Sequence, residues 1–271
     1  MAGQEDIYEV FALKYGERTD RVRGESFLFD DAHNTPHPID YFVWVARSAT
    51  RTIVIDTGFD RKEAEQRNRT LLRTPAEALS QFGLDSRTIS DVIVTHMHYD
   101  HAGTLADFPE AHFHLQEAEM AYVTGACMCY DVMRHPFSAD HVCAMVRNLY
   151  SGRVSFAEGD AEIAPNLTVH KIAGHTGGLQ CVRVLTKRGW VVLASDASHF
   201  YENFEQRKIF PIVLNARDML KGFERMERLA ESRDHVIPGH DPLVCAKYPK
   251  ESAALDGVVY RLDVAPKAVA E

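Results

Sequence analysis

Three runs rich in β-branched and aromatic residues open the chain: YEVFALKYG (residues 8–16), DYFVWVARS (40–48) and RTIVIDTG (51–58). They predict three strands, the last two joined by a turn around Ala49 and Thr50. Helical patterns follow at residues 62–72 and 75–82, the second closed by Gly83. DVIVT (91–95) is then a short apolar run of the kind a buried strand needs. Beyond it come a helical turn, a strand in HFHLQ (112–116), a helix over 117–122, and an amphipathic helix over 138–150. The apolar side of that last helix carries Val142, Met145, Val146 and Leu149. NLTVHKI (166–172), LQCVRVLT (179–186) and GWVVLAS (189–195) return to strand, before a long helix over 216–232 and a last strand over 235–238. The order predicts an α/β (α+β) fold of two sheets covered by helices. With no repeat, low-complexity tract or long linker, residues 1–271 read as a single domain.

Composition narrows the partners. A formal net charge of -9 leaves no basic footprint for phosphates, so nucleic acid is not expected. The N-terminus is acidic and has no apolar stretch of signal-peptide type, and no run reaches the length of a membrane span. Five scattered cysteines without a CxxC pair read as reduced thiols, and the expected location is cytoplasmic. Cys127 and Cys129 are a weak metal or redox pair.

The chemistry concentrates in THMHYDHAG (95–103), where His96, His98, Asp100 and His101 crowd the end of the predicted DVIVT strand. Imidazole and carboxylate suit a borderline divalent ion, and a site needs three or more of them converging from rigid positions. In HMHYDH, His96 and His98 project together while Asp100 and His101 come from the following turn, a spacing that suits two ions. His175 in AGHTGG, Asp196 in LASDASH and His240 in IPGHDP each follow an apolar run and sit among turn-forming residues. Strand ends gathered on one sheet edge are where α/β proteins place chemistry.

With VIDTG around Asp56, this set resembles the metallo-β-lactamase superfamily over about residues 40–245. The resemblance implies a four-layer αββα sandwich with two divalent ions between the sheets, zinc first, with iron, manganese or cobalt accepted by the same ligands. It implies His96, His98 and His175 on the first ion, Asp100, His101 and His240 on the second, and Asp196 bridging both. Asp56 is then either a group that steadies the ligands or a turn former before Gly58.

Within the superfamily, His98 stands where the flavodiiron oxidoreductases have a carboxylate, and Asp196 where zinc β-lactamases usually have cysteine. AGHTGG, DASHFYENF and PGHDP most closely resemble the N-acyl-homoserine lactonase group, which opens the lactone ring of bacterial quorum-sensing signals. The resemblance implies attack of a metal-bridging hydroxide on the ester carbonyl, with Asp100 passing a proton to the leaving alkoxide. Family lactonases commonly carry a tyrosine three positions after the bridging aspartate; here that position is His199, with Tyr201 two further on. Either can donate to developing negative charge, and either suits plain packing. Alternatives are a small γ-lactone hydrolase or a thioesterase of the glyoxalase II type, against which the short, mixed-charge tail after His240 argues. A metal-stabilised binding protein is the non-enzymatic reading. A small lactone is the expected partner, with a homodimer possible.

Two other features compete for attention. His112 and His114 share a face of the HFHLQ strand near Glu117 and Glu119, but nothing in a turn context is left to complete a metal site there. His33, His37, His135, His141, His170 and His235 read as core, loop or rim residues. TGACMCYDVMRHPF (124–137) has no clear periodicity; its soft side chains suit the wall of an acyl pocket, a dimer contact or ordinary core.

Overall fold

A computed structural model describes residues 6–268. Its strands are β1 (Glu9–Arg18), β2 (Ile39–Arg47), β3 (Thr52–Ile55), β4 (Thr70–Leu71), β5 (Asp91–Ile93), β6 (His112–Gln116), β7 (Val154–Ala157), β8 (Ala161–Ala164), β9 (Leu167–Lys171), β10 (Gln180–Thr186), β11 (Gly189–Ser195), β12 (Val236–Pro238) and β13 (Val259–Arg261). Its α-helices are α1 (Arg61–Arg67), α2 (Pro75–Gln81), α3 (Glu117–Val123), α4 (Asp131–Arg134), α5 (Ala139–Tyr150), α6 (Tyr201–Gln206), α7 (Ala216–Leu229) and α8 (Leu243–Lys247).

One sheet runs β13-β1-β2-β3-β5-β6-β7, with β4 attached to β1; the other runs β12-β11-β10-β9-β8. Strand β2 explains why they stack. Phe42, Trp44 and Ala46 enter the core shared with the second sheet, while Tyr41, Val43 and Val45 enter the core on the other face. Period-two alternation thus feeds two apolar layers from a strand buried on both sides. Ala64 of α1, Ala78 and Leu79 of α2 and Met145 of α5 cover the outer face of the first sheet. Met219, Phe223 and Met226 of α7 join the apolar cluster of the second sheet on the face that carries Val192. The result is the four-layer αββα sandwich. Trp44 is buried in its centre, and truncating such a side chain to alanine costs roughly 3–5 kcal/mol.

Local signals account for most boundaries. Asp60 caps α1 by accepting from the Glu63 amide, and Thr74 and Glu77 form a reciprocal capping box on α2. The first predicted helix is shorter than expected, ending at Arg67 instead of Leu72. Asn68 adopts a left-handed φ of 53°, and Thr70 and Leu71 pair with β1 instead. The strands β7, β8 and β13 and the short helices α4, α6 and α8 have no counterpart among the elements the sequence pattern predicts. The Thr124–Phe137 stretch, aperiodic in sequence, contains a 3₁₀ turn (Ala126–Cys129) and α4. Among the described residues no helix is long and apolar enough to cross a membrane.

Candidate metal centre

The two sheets end together on one edge, and each end delivers a ligand-type side chain. Parallel β3 and β5 lead into Asp56 and into the loop from Thr95 to His101; parallel β11 and β12 lead into Asp196 and His240. His175 comes from the loop between β9 and β10. Two of these ends carry strained backbone: Asp56 has φ 63° and Ser195 has φ 47°, conformations non-glycine residues keep only when neighbours fix them. Gly239 precedes His240 because a Cβ there would lie 2.6 Å from the Ser195 carbonyl oxygen and 3.0 Å from Asp196 Oδ1.

His96, His98, His175 and Asp196 offer ligand atoms within one cluster, and Asp100, His101 and His240 within a second. Asp196 faces both. Its Oδ2 lies 3.7 Å from His96 Nε2 and 3.2 Å from His175 Nε2, while its Oδ1 lies 3.1 Å from His101 Nε2 and 2.9 Å from His240 Nε2. Asp100 Oδ2 is 3.8 Å from His101 Nε2 and 3.7 Å from His240 Nε2. All seven side chains are buried.

The far nitrogens are held by the protein. His101 Nδ1 donates to Asp56 Oδ2 at 2.7 Å, His175 Nδ1 to the Ile212 carbonyl at 2.8 Å, and His240 Nδ1 to the Asp40 carbonyl at 2.8 Å. His96 Nδ1 lies 3.1 Å from the Thr95 hydroxyl. Each hydrogen bond turns an Nε2 inward, as ligand histidines require. Asp56 also accepts from the Thr95 amide and hydroxyl, so it ties the first strand end to the histidine loop; it has the role of a ligand support.

Buried polar atoms normally find partners, yet His96 Nε2, His101 Nε2 and Asp196 Oδ1 crowd one another without a hydrogen bond of proper geometry to any protein group. Unsatisfied nitrogens and a carboxylate oxygen gathered at this spacing fit divalent cations. Burial, reinforced by neighbouring imidazoles, holds His96 and His98 well below the ordinary histidine range, leaving them in the neutral ligand form. For His101 and His240 burial acts in the same sense, but the surrounding carboxylates, Asp196 first, outweigh it and raise both. A pair of cations among these carboxylates would take over that compensating role.

The two oxyanion candidates part company. His199 is buried at the cluster, with Nε2 2.9 Å from Asp196 Oδ2 and its ring stacked on Phe210 at 3.8 Å. Tyr201 is not brought to the cluster: it is buried in the apolar core beside Phe204, with the Lys247 ammonium 4.0 Å from its ring centroid. Its position on the first turn of α6 points it away from the strand ends. His112 and His114 bond Ser155 and Asp91 across neighbouring strands, as strand residues do. Cys127 and Cys129 are free thiols outside both ligand groups.

Glu119, which the sequence sets only near His112 and His114, has a different part in the structure. From α3 its buried carboxylate accepts from the Met97 amide at 3.0 Å, the Thr176 hydroxyl at 2.6 Å and the Gly178 amide at 2.9 Å. It staples the His96–His98 loop to the His175 loop. The available signal was a carboxylate beside Met120 and Val123, on the helix face that turns inward.

Two cavities open on the cluster. One, of about 270 Å³, is walled by Tyr122, Val132, Met133, Pro136 and Ile212 and reaches His98 and His175. The other, of about 370 Å³, reaches Asp100, His199 and His240. The Thr124–Phe137 stretch therefore supplies a pocket wall, fastened where the Tyr99 amide donates to the Pro136 carbonyl at 2.9 Å.

Comparison with known proteins gives the same placement. Residues 38–240 match the family model of the metallo-beta-lactamase superfamily. A probable metallo-hydrolase of Mycobacterium tuberculosis is 26% identical over 220 residues, covering 73% of this chain and 71% of that protein. An N-acyl homoserine lactonase of a Bacillus species is 28% identical over 165 residues, covering 60% of each. The crystal structure of a quorum-quenching N-acyl homoserine lactone lactonase superposes with a TM-score of 0.73 at 18% identity, covering 88% of this chain and 93% of that one. The chain is a member of the metallo-β-lactamase superfamily and a hydrolase of that fold.

Proposed function

We propose that this hydrolase opens the ring of N-acyl-homoserine lactones. The observation that carries the reading is the juxtaposition of two ligand groups sharing Asp196 with an apolar cavity that reaches His98 and His175. An ester at the cluster can lay an acyl chain along Val132, Met133 and Ile212, and apolar walls with a few convergent polar groups are the usual form of a small-molecule site. Similarity to lactonases in both sequence and fold supports the same substrate class.

His96, His98 and His175 would hold one ion, Asp100, His101 and His240 the other, and Asp196 both. Divalent ions bound there supply water activated near neutral pH and polarisation of the ester carbonyl. The chain's own residues do the rest. Asp100 lines the cleft and is the group placed to hold a proton for the departing ring oxygen. His199, in the same cleft, is the side chain available to support charge on the carbonyl oxygen.

The test is proton release on a panel of N-acyl-homoserine lactones, simple γ-lactones, thioesters and β-lactams. Acid release from the lactones is expected, and release from thioesters or β-lactams alone overturns the reading. Asp100→Asn that binds metal normally yet turns over at the parent rate removes the proton role.

A further inference from the structure

The cleft that reaches Asp100 and His240 is lined by four arginines, Arg18, Arg21, Arg67 and Arg69, in a chain whose net charge is -9. Two of them are neutralised. Arg18 pairs with Asp20 and Glu25, each at 2.8 Å, and Arg67 pairs with Glu63 at 2.7 Å. Arg21 and Arg69 are not: among the described residues, neither has a carboxylate within 4.0 Å.

Arg21 is 7% exposed and donates only to neutral groups, the Ser26 hydroxyl at 3.0 Å and the Glu25 backbone carbonyl at 2.6 Å. Arg69 donates to the Tyr99 hydroxyl at 3.1 Å and to the backbone carbonyl of Arg67 at 2.6 Å. The Tyr99 hydroxyl in turn meets that of Tyr41 at 3.1 Å, so the tyrosine pair at the cleft floor is tied to a cation. A guanidinium cannot shed its proton in a protein, and burying one without an opposite charge is costly. Burial pulls Arg21 below its ordinary range, with Arg18 and Arg69 pushing the same way and Tyr41 and Glu25 only partly offsetting them, whereas for Arg69 burial is outweighed by Tyr99, Tyr41 and Asp100, which raise it. A neutral acyl-homoserine lactone gives these cations no partner, and the apolar cavity already receives its acyl chain.

We infer that the natural substrate carries an anionic group, a carboxylate or a phosphate, which Arg21 and Arg69 bind in the cleft while the ester lies at the ligand cluster. Guanidinium groups match both anions with paired hydrogen bonds. The inference rests on the lactonase reading and narrows its substrate class.

The experiment compares lactones differing only in charge. N-adipoyl-homoserine lactone is set against its methyl ester, and the phosphate ester of γ-hydroxymethyl-γ-butyrolactone against the parent alcohol. The wild-type protein is expected to favour at least one anionic member by about tenfold or more in kcat/KM, through KM, as a charge-assisted pair of hydrogen bonds can supply. Which pair shows the preference tells carboxylate from phosphate. In Arg21→Met and Arg69→Met the anionic-to-neutral ratio is expected to collapse by a similar factor. No preference in the wild type, or an unchanged ratio in both variants, overturns the inference. If none of these lactones is hydrolysed, the lactonase reading fails by itself. Calorimetric titration with adipate and with inorganic phosphate then reads the site directly: binding weakened in both variants supports it, and binding equal to wild type refutes it.

Discussion

Asp56 Oδ2 accepts from His101 Nδ1 at 2.7 Å, and the same carboxylate takes the amide and hydroxyl of Thr95. One buried acid thereby sets the tautomer of one candidate ligand and the path of the loop that carries three more. Removing such support typically lowers metal affinity by about 10–100-fold. Asp56→Asn is expected to release the second ion to a competing chelator at correspondingly lower chelator concentration. Retention equal to wild type contradicts the supporting role.

Glu119 does for the loops what Asp56 does for the ligands. Glu119→Gln replaces one acceptor with a donor facing amides, and an unsatisfied buried group costs about 1–3 kcal/mol. The variant should unfold at lower denaturant with an unchanged slope. Gly178→Ala should be worse, since a Cβ there would lie 2.0 Å from the Glu119 amide nitrogen. Unfolding midpoints in urea check both.

His199 and Tyr201 separate by place. Loss of a donor to a developing oxyanion costs about 10²–10³ in turnover, the range expected for His199→Phe. Tyr201→Phe should leave turnover near wild type, because the ring lies in the core and its hydroxyl has no partner to lose. Steady-state rates on one lactone decide; equal losses in both variants contradict the assignment.

His37 packs against Phe27 and Phe200, and burial, with the Arg23 guanidinium nearby, pushes it down from 6.5 to about 4. The unfolded chain therefore takes up this proton first as pH falls. The contribution to stability is complete above about 6.5 and is lost as pH drops toward about 4. Melting temperature should fall more between pH 7 and pH 5 in wild type than in His37→Gln, and an identical fall removes the linkage.

Much of this was legible because local chemistry forced it. HMHYDH, and His175, Asp196 and His240 after apolar runs, carry their ligand character in residue type, and strands such as DYFVWVARS have little choice but burial. What escaped depended on long-range packing. The end of α1 followed from the pairing of Thr70 and Leu71 with β1, and β7 forms because Val154 to Ala157 finds β6 as a partner. Tyr201 reads as a donor next to His199 in sequence, yet helix geometry turns it toward the core. Arg21 and Arg69 look like ordinary surface arginines until the fold brings them to one cleft.

A centre for two ions shared through Asp196 binds two divalent ions per chain, the value expected from elemental analysis of the purified protein by mass spectrometry. A sample that hydrolyses its substrate at full rate with one ion per chain, or none, contradicts a shared two-ion centre.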